Sequence, residues 1–250
     1  MKSDAAELLE IFSSIQGEGV LIGRRQVFIR FKGCNLDCHY CDTNAGGSND
    51  ACSIELTPGR RDFQECANPV AMERVIELIC RWERGWPTVH HSVSLTGGEP
   101  LLHAELLQSW LPRLEQILPI HLETNGVLYR ALATLINHID TISMDIKLPS
   151  SAGIAHLWDD HRRFLEIAAQ RNVSVKIVVN AATEHWEIER SAGIIKDVGE
   201  NIPLIIQPET ADDLSIRIST LGLLELQEIA AAVLPDVRVI PQTHRFIGLL

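Results

Sequence analysis

The sequence predicts an α/β fold of parallel strands joined by helical crossovers, and three observations lead there. Short β-branched runs alternate with amphipathic stretches from residue 26 onward, the strand–helix–strand unit recurs about six times, and polar clusters sit at the C-terminal ends of the strands. The strands are predicted at 26–31, 91–95, 120–123, 141–146, 174–179, 204–207 and 237–240. Most are short apolar runs, as in parallel strands buried on both faces. Repeated units of this kind imply right-handed crossovers between neighbouring parallel strands. A full or partial α/β barrel and an open doubly wound sheet both satisfy this pattern.

The helices follow from local signals. Asn68-Pro69 reads as an N-cap followed by proline at the first helical position, opening a helix to about Arg84. Further helices are predicted at 103–118, 156–170, 185–198 and 220–233, with a shorter one at 129–137. Pro112 should kink or split the first of these, because proline removes one helical hydrogen bond and clashes with the preceding turn. Residues 44–67 form the one long stretch predicted to be irregular, and loops of that length usually serve function or are disordered.

Composition narrows the class. The 250 residues, 46% hydrophobic and 22% charged, suffice for one domain spanning 1–250. A formal charge of −11 argues against a broad phosphate-binding surface and hence against nucleic acid as partner. No apolar run reaches the roughly 18 residues that span a bilayer, and the first ten residues lack a secretory apolar core. A cytoplasmic protein with no membrane partner is expected.

Six cysteines in a reducing compartment read as metal or redox ligands rather than disulfides. Cys34, Cys38 and Cys41 fall within eight residues, Cys52 and Cys66 follow in the irregular stretch, and Cys80 stands apart. Cys80 is spaced helically with Met72, Val75, Ile76 and Ile79, as a buried inert thiol would be. Three close thiolates suit a soft metal or an iron–sulfur cluster. A structural zinc site needs four ligands, and here His39, Asp42, Cys52 or Cys66 would have to be the fourth. Three thiolates on a cubane instead leave one iron open to a substrate or cofactor.

The polar clusters at strand ends are Thr96-Gly97-Gly98-Glu99-Pro100, Glu123-Thr124-Asn125-Gly126, Asp145 with Lys147, and Gln207-Pro208-Glu209-Thr210, joined by Cys34. Ligands bind along that edge of parallel α/β folds. The cysteine triplet after the first strand and Thr96–Pro100 after the second resemble the radical S-adenosylmethionine (SAM) superfamily. Phe12-Ser13-Ser14-Ile15-Gln16-Gly17-Glu18-Gly19, Phe28-Ile29-Arg30-Phe31, Cys41-Asp42-Thr43, Glu123–Gly126 and Pro241-Gln242-Thr243-His244-Arg245 further resemble, in that order, the 7-carboxy-7-deazaguanine synthases.

That resemblance implies a partial (βα)6-type TIM barrel of the radical SAM kind, with a cluster loop at 32–67. It implies a [4Fe–4S] cluster on Cys34, Cys38 and Cys41, with SAM chelating the open iron. SAM contacts would come from Tyr40, Cys41, Asp42, Gly98, Glu99, Glu123, Ser143, Asp145, Lys147, Gln207, Pro208 and Glu209. Ile15, Gln16 and Gly17 would line a pterin site, Arg30 would pair with the substrate carboxylate, and Thr96, His244 and the terminal Leu250 would complete it. Thr43 would contact a Mg²⁺ ion shared with that carboxylate. The implied reaction turns 6-carboxy-5,6,7,8-tetrahydropterin into 7-carboxy-7-deazaguanine. A 5′-deoxyadenosyl radical takes hydrogen from C6, the ring contracts, ammonia leaves and SAM is regenerated. A reducing electron donor such as flavodoxin and a homodimer are also implied. Many relatives carry Ser-Pro-Lys where this chain reads Ser143-Met144-Asp145-Ile146-Lys147. The competing readings are a glycyl-radical-activating enzyme, which shares the cysteine spacing, and a non-catalytic zinc module.

Overall fold

The computed structural model describes residues 4–41 and 50–249. In chain order the strands are β1 (Ala5–Ala6), β2 (Leu8–Ile15), β3 (Arg25–Phe31), β4 (Ala51–Glu55), β5 (Phe63–Ala67), β6 (Val70–Ala71), β7 (Ser92–Gly97), β8 (Ile120–Thr124), β9 (Thr141–Asp145), β10 (Asn172–Val179), β11 (Leu204–Pro208) and β12 (Val237–Val239). The helices are α1 (Met72–Gly85), α2 (Ala104–Leu114), α3 (Tyr129–Leu135), α4 (Pro149–Ala152), α5 (Trp158–Ala168), α6 (His185–Gly199), α7 (Thr220–Ala231) and α8 (Thr243–Phe246). None is long and apolar enough to cross a membrane.

One sheet runs in the order β12-β11-β10-β9-β8-β7-β3-β2-β4-β5. From β3 to β12 every neighbouring pair is parallel, so the six predicted crossovers are present. The two outer strands, β12 and β5, do not meet, which makes the barrel partial. All seven predicted strands occur within two residues of their expected bounds.

The alternation along these strands is sharper than short apolar runs suggested. Val27 and Ile29, Val93 and Leu95, Ile120 and Leu122, Ile142 and Met144, and Val175 and Ile177 join one apolar core. The residues between them — Phe28 and Arg30, Thr96, Glu123, Ser143 and Asp145, Ser174 and Lys176 — line a cavity inside the barrel. Successive side chains point to opposite faces of a strand, so one set packs beneath the helices and the other looks inward.

Three expectations are corrected. Residues 51–67 are not irregular: β4 pairs in parallel with β2, and β5 returns antiparallel along β4. Cys52 and Cys66 stand opposite one another in that hairpin. The helix expected from Pro69 begins instead at Met72, because Val70 and Ala71 pair with Ala5 and Ala6. Asn68 does not cap it; its side-chain amide donates to Leu8 O (2.8 Å) and its Oδ1 accepts from Leu8 N (3.1 Å). Pro112 lies within α2 and does not split it, the helix continuing to Leu114 rather than to the expected residue 118. On α1, Met72, Val75, Leu78, Ile79 and Trp82 are buried at helical spacing, while Cys80 is half-buried.

Candidate active site

Four segments converge on the inner cavity: the lead-in after β2, the cysteine loop after β3, the C-terminal ends of β7 to β11, and the tail around α8. Of the predicted residues, Ile15, Gln16, Gly17, Arg30, Thr96 and His244 line it, as do Cys34, Cys38, Tyr40, Cys41, Gly98, Glu123, Ser143, Asp145, Lys147, Gln207 and Glu209. Asp42, Thr43 and Leu250 lie outside the described residues.

Two residues predicted to contact SAM, Glu99 and Pro208, are not among those lining the cavity. Glu99 is fully buried behind the cavity, where its carboxylate accepts from Thr124 Oγ1 (2.9 Å), Asn125 N (2.8 Å) and Leu101 N (3.1 Å). Burial pushes its pKa up to about 7 despite these donors and Lys147. Its role is to fix the loop after β8. Pro208 is buried and does not line the cavity, whereas its neighbours Gln207 and Glu209 do.

The cysteine loop is seated by close backbone contacts. Glu99 N donates to Gly33 O at 2.8 Å, and a Cβ on Gly98 would fall 1.9 Å from that oxygen, so only glycine fits. Further along, His39 N donates to Ala152 O at 3.0 Å. Cys34 Sγ accepts from Leu36 N (3.5 Å) and from Asn125 Nδ2 (3.8 Å). Burial raises the Cys38 thiol, with Cys41 and Cys34 among its electrostatic neighbours.

The wall toward α8 carries charge. Glu18 forms an ion pair with Lys176, which lies 3.3 Å from Asp145, which in turn holds Lys147 at 2.6 Å. Burial alone would raise the Glu18 carboxyl, but Lys176, Gln242 and His244 outweigh it and bring the pKa to about 2. Burial opposes the charge on Lys176, yet Asp145 and Glu18 raise its pKa. Lys147 Nζ stands 5.3 Å above the Tyr40 ring. Asp145 and Lys147 do pair with each other, and both still face the cavity.

The floor is an uncharged and acidic hydrogen-bond network. Glu123 accepts from Gln16 Nε2 (2.7 Å), Ser94 Oγ (2.9 Å) and Thr96 Oγ1 (3.1 Å). Glu123, expected beside SAM, is hydrogen-bonded to Gln16 and Thr96, both expected on the substrate side. Below it, buried His121 joins Gln26, Ser94 and Ser143 within 3.2 Å, and burial lowers its pKa. Arg30 Nε donates to Glu10 Oε1 at 2.6 Å, and its guanidinium lies 5.7 Å from the Phe12 ring, which stacks on Phe28.

The tail clasps the lead-in. Thr243 N and Oγ1 both donate to Gly17 O (3.0 and 3.1 Å), and Gln242 Nε2 donates to Glu18 Oε1 (2.8 Å). A Cβ on Gly17 would fall 2.0 Å from His244 Nδ1. Sequence reasoning missed Lys176 and Ser174, which the strand alternation itself marks, and gave Glu18 and Asn125 no individual role although both lie in motifs it singled out.

The donor set fits a cluster with an organic ligand. Three thiols share one loop at the cavity rim, and one receives two N–H donors, the bonds that surround cluster sulfurs. Among the described residues no three Cys, His, Asp or Glu side chains converge on a single ion. A cubane takes one sulfur at each of several irons, so its ligands need not share one. Of the four buried side-chain polar atoms without partners among the described residues, three, Tyr40 OH, Gln207 Oε1 and Thr210 Oγ1, belong to residues lining this cavity, where a polar ligand could meet them; the fourth is His161 Nδ1.

Comparison with known proteins agrees with this geometry. The profile of the radical SAM superfamily matches residues 28–183. The chain is 57% identical over 250 residues to a 7-carboxy-7-deazaguanine synthase of Geobacter sulfurreducens, covering all of both chains. It is 34% identical over 266 residues to one of Methanothermobacter thermautotrophicus, covering 98% of each. The crystal structure of QueE from Escherichia coli superposes with a TM-score of 0.60 at 19% identity, covering 94% of this chain and 93% of the other, which shows a shared fold.

Proposed function

The chain belongs to the radical SAM superfamily and, within it, to the 7-carboxy-7-deazaguanine synthases, and from that premise we propose how its site works. The protein is a carbon–nitrogen lyase that converts 6-carboxy-5,6,7,8-tetrahydropterin to 7-carboxy-7-deazaguanine with loss of ammonia, a step toward queuosine and related 7-deazapurines. One observation carries this reading: the rim bearing Cys34, Cys38 and Cys41 and the lead-in bearing Gln16 and Gly17 face one cavity.

Cys34, Cys38 and Cys41 would hold the [4Fe–4S] cluster. When bound, the cluster and SAM supply a reductive cleavage that starts radical chemistry. Tyr40, Gly98, Ser143, Asp145, Lys147, Gln207 and Glu209 would surround SAM. The backbone of Ile15–Gly17, with Thr96, Glu123 and His244, would hold the pterin, whose amino-pyrimidinone edge offers N–H donors to the Glu123 carboxylate. Arg30, pre-oriented by Glu10, would meet the substrate carboxylate, a role suited to a planar guanidinium. Burial of the floor and the clasped tail exclude water from the reacting centre. Mg²⁺ at Thr43, the carboxylate of Leu250, an electron donor such as flavodoxin, a homodimer and a cytoplasmic location complete the proposal.

Anaerobically reconstituted protein, reduced and incubated with SAM, Mg²⁺ and carboxytetrahydropterin, should yield 7-carboxy-7-deazaguanine, with Mg²⁺ omission lowering the rate. A folded, cluster-loaded protein that forms no product would reject the assignment.

A further inference from the structure

The loop after β8 contributes a side chain that the substrate and SAM assignments leave without a task. Asn125 is buried and its position is fixed from four sides. Its N–H donates to Glu99 Oε2 (2.8 Å), its carbonyl accepts from His161 Nε2 (3.2 Å), and its Oδ1 accepts from Val127 N (3.3 Å). The amide N–H₂ is therefore turned the other way. It donates to Asn35 Oδ1 at 2.8 Å and reaches Cys34 Sγ at 3.8 Å. The orientation of the amide follows from the Val127 contact, since Nδ2 in that position would meet another donor.

Elsewhere the cysteine loop is seated by backbone contacts, at Gly33 and His39. Asn125 differs, because it directs a side-chain dipole at a ligand sulfur. An N–H donor near a thiolate favours the more negative state of whatever that sulfur binds, and hydrogen bonds to sulfurs are among the levers that set cluster potentials. The second donor to Cys34, Leu36 N, belongs to the loop backbone and survives any side-chain substitution.

We propose that Asn125 is a positioning residue that raises the reduction potential of the cluster through its N–H···S contact with Cys34, with Asn35 holding the donor in place. The inference rests on the cluster assignment made above. Without that contact the ratio of reduced to oxidised cluster at fixed potential should fall about tenfold, equal to about 59 mV for a one-electron couple.

The test is an EPR-monitored redox titration of reconstituted, SAM-free protein, wild type against Asn125→Leu, Asn125→Asp and Asn35→Leu, with iron and sulfide counted in each. Potentials should fall in all three, most in Asn125→Asp, where an acceptor replaces the donor, and least in Asn35→Leu. Asn35→Leu leaves the Glu99, His161 and Val127 contacts intact, so it supplies the measurement if the Asn125 variants do not retain cluster. Full cluster content with unchanged potentials would overturn the proposal. A wild-type protein that binds no four-iron cluster would instead overturn the cluster assignment beneath it.

Discussion

The two faces of the same strands do opposite work. On the outer face, Val93, Leu95, Leu122, Ile142 and Val175 are wholly buried and interchangeable in chemistry, so they contribute by area alone. On the inner face, Ser94, Glu123, Ser143, Asp145 and Lys176 are tied to named partners at hydrogen-bond distance. A barrel filled with apolar layers would be the more stable object. Here the inner layer is polar, so burial on one face supports a cavity on the other. Stability and specificity are thus written at alternate positions of one strand.

The sharpest break between the two is at the rim. Cys38→Ala should abolish cluster binding and all turnover, yet keep the thermal midpoint of the cluster-free wild type, since the ligand loop lies outside the apolar core. Iron analysis and calorimetry check both. Leu122→Ala should do the reverse in kind, costing about 2–5 kcal/mol in urea unfolding while leaving ligand groups in place.

Lys176→Met tests whether the division is clean. It strands the Glu18 carboxylate, and breaking a buried pair costs about 3–5 kcal/mol. Adding Glu18→Gln should recover most of that stability but not the activity; recovery of both would mean the pair is purely structural. Gly17→Ala should leave the fold intact and lower kcat/KM by about 10- to 100-fold, because the new Cβ displaces His244. A crystal structure with His244 unmoved would contradict this.

A last comparison concerns Glu99. Its pKa in the folded chain is about 7 against an ordinary 4.5, so between those values the folded state keeps a proton that the unfolded chain has lost. Stability should therefore decline as pH rises from about 4.5 to 7. Glu99→Gln should flatten that slope in urea titrations across the range.

Much of this was legible beforehand, and the omissions have causes. The strands of the continuous parallel run, β3 and β7 to β12, showed themselves because Val, Ile and Leu recur within short bounded runs. The hairpin of β4 and β5 did not, since Gln64 and Glu65 are exposed on an edge strand and leave no apolar rhythm. β2 hid for another reason: Leu8–Ile15 carries the lead-in motif, and Ser13 and Ser14 are buried polar residues within it. Ser13 meets Glu55 and His90 there, contacts that no local pattern encodes. At the site, motif residues that face inward were found by resemblance. Glu99 turns away from the cavity, because a motif reports that a residue matters and not which side of the backbone it serves. Lys176 was missed because it lies within a strand, outside any motif.

The clasp between Thr243 and Gly17 joins residues 226 positions apart. Loop closure over such a distance comes late, after the local strand–helix units have formed. During synthesis the barrel can therefore collapse and bury its outer face while its mouth is still open, and the cysteine loop remains accessible to whatever delivers iron and sulfide. The pocket acquires its final wall only when the tail docks, so cluster loading can precede substrate selectivity. A chain ending before Gln242 should fold and take up iron, yet discriminate poorly among pterins.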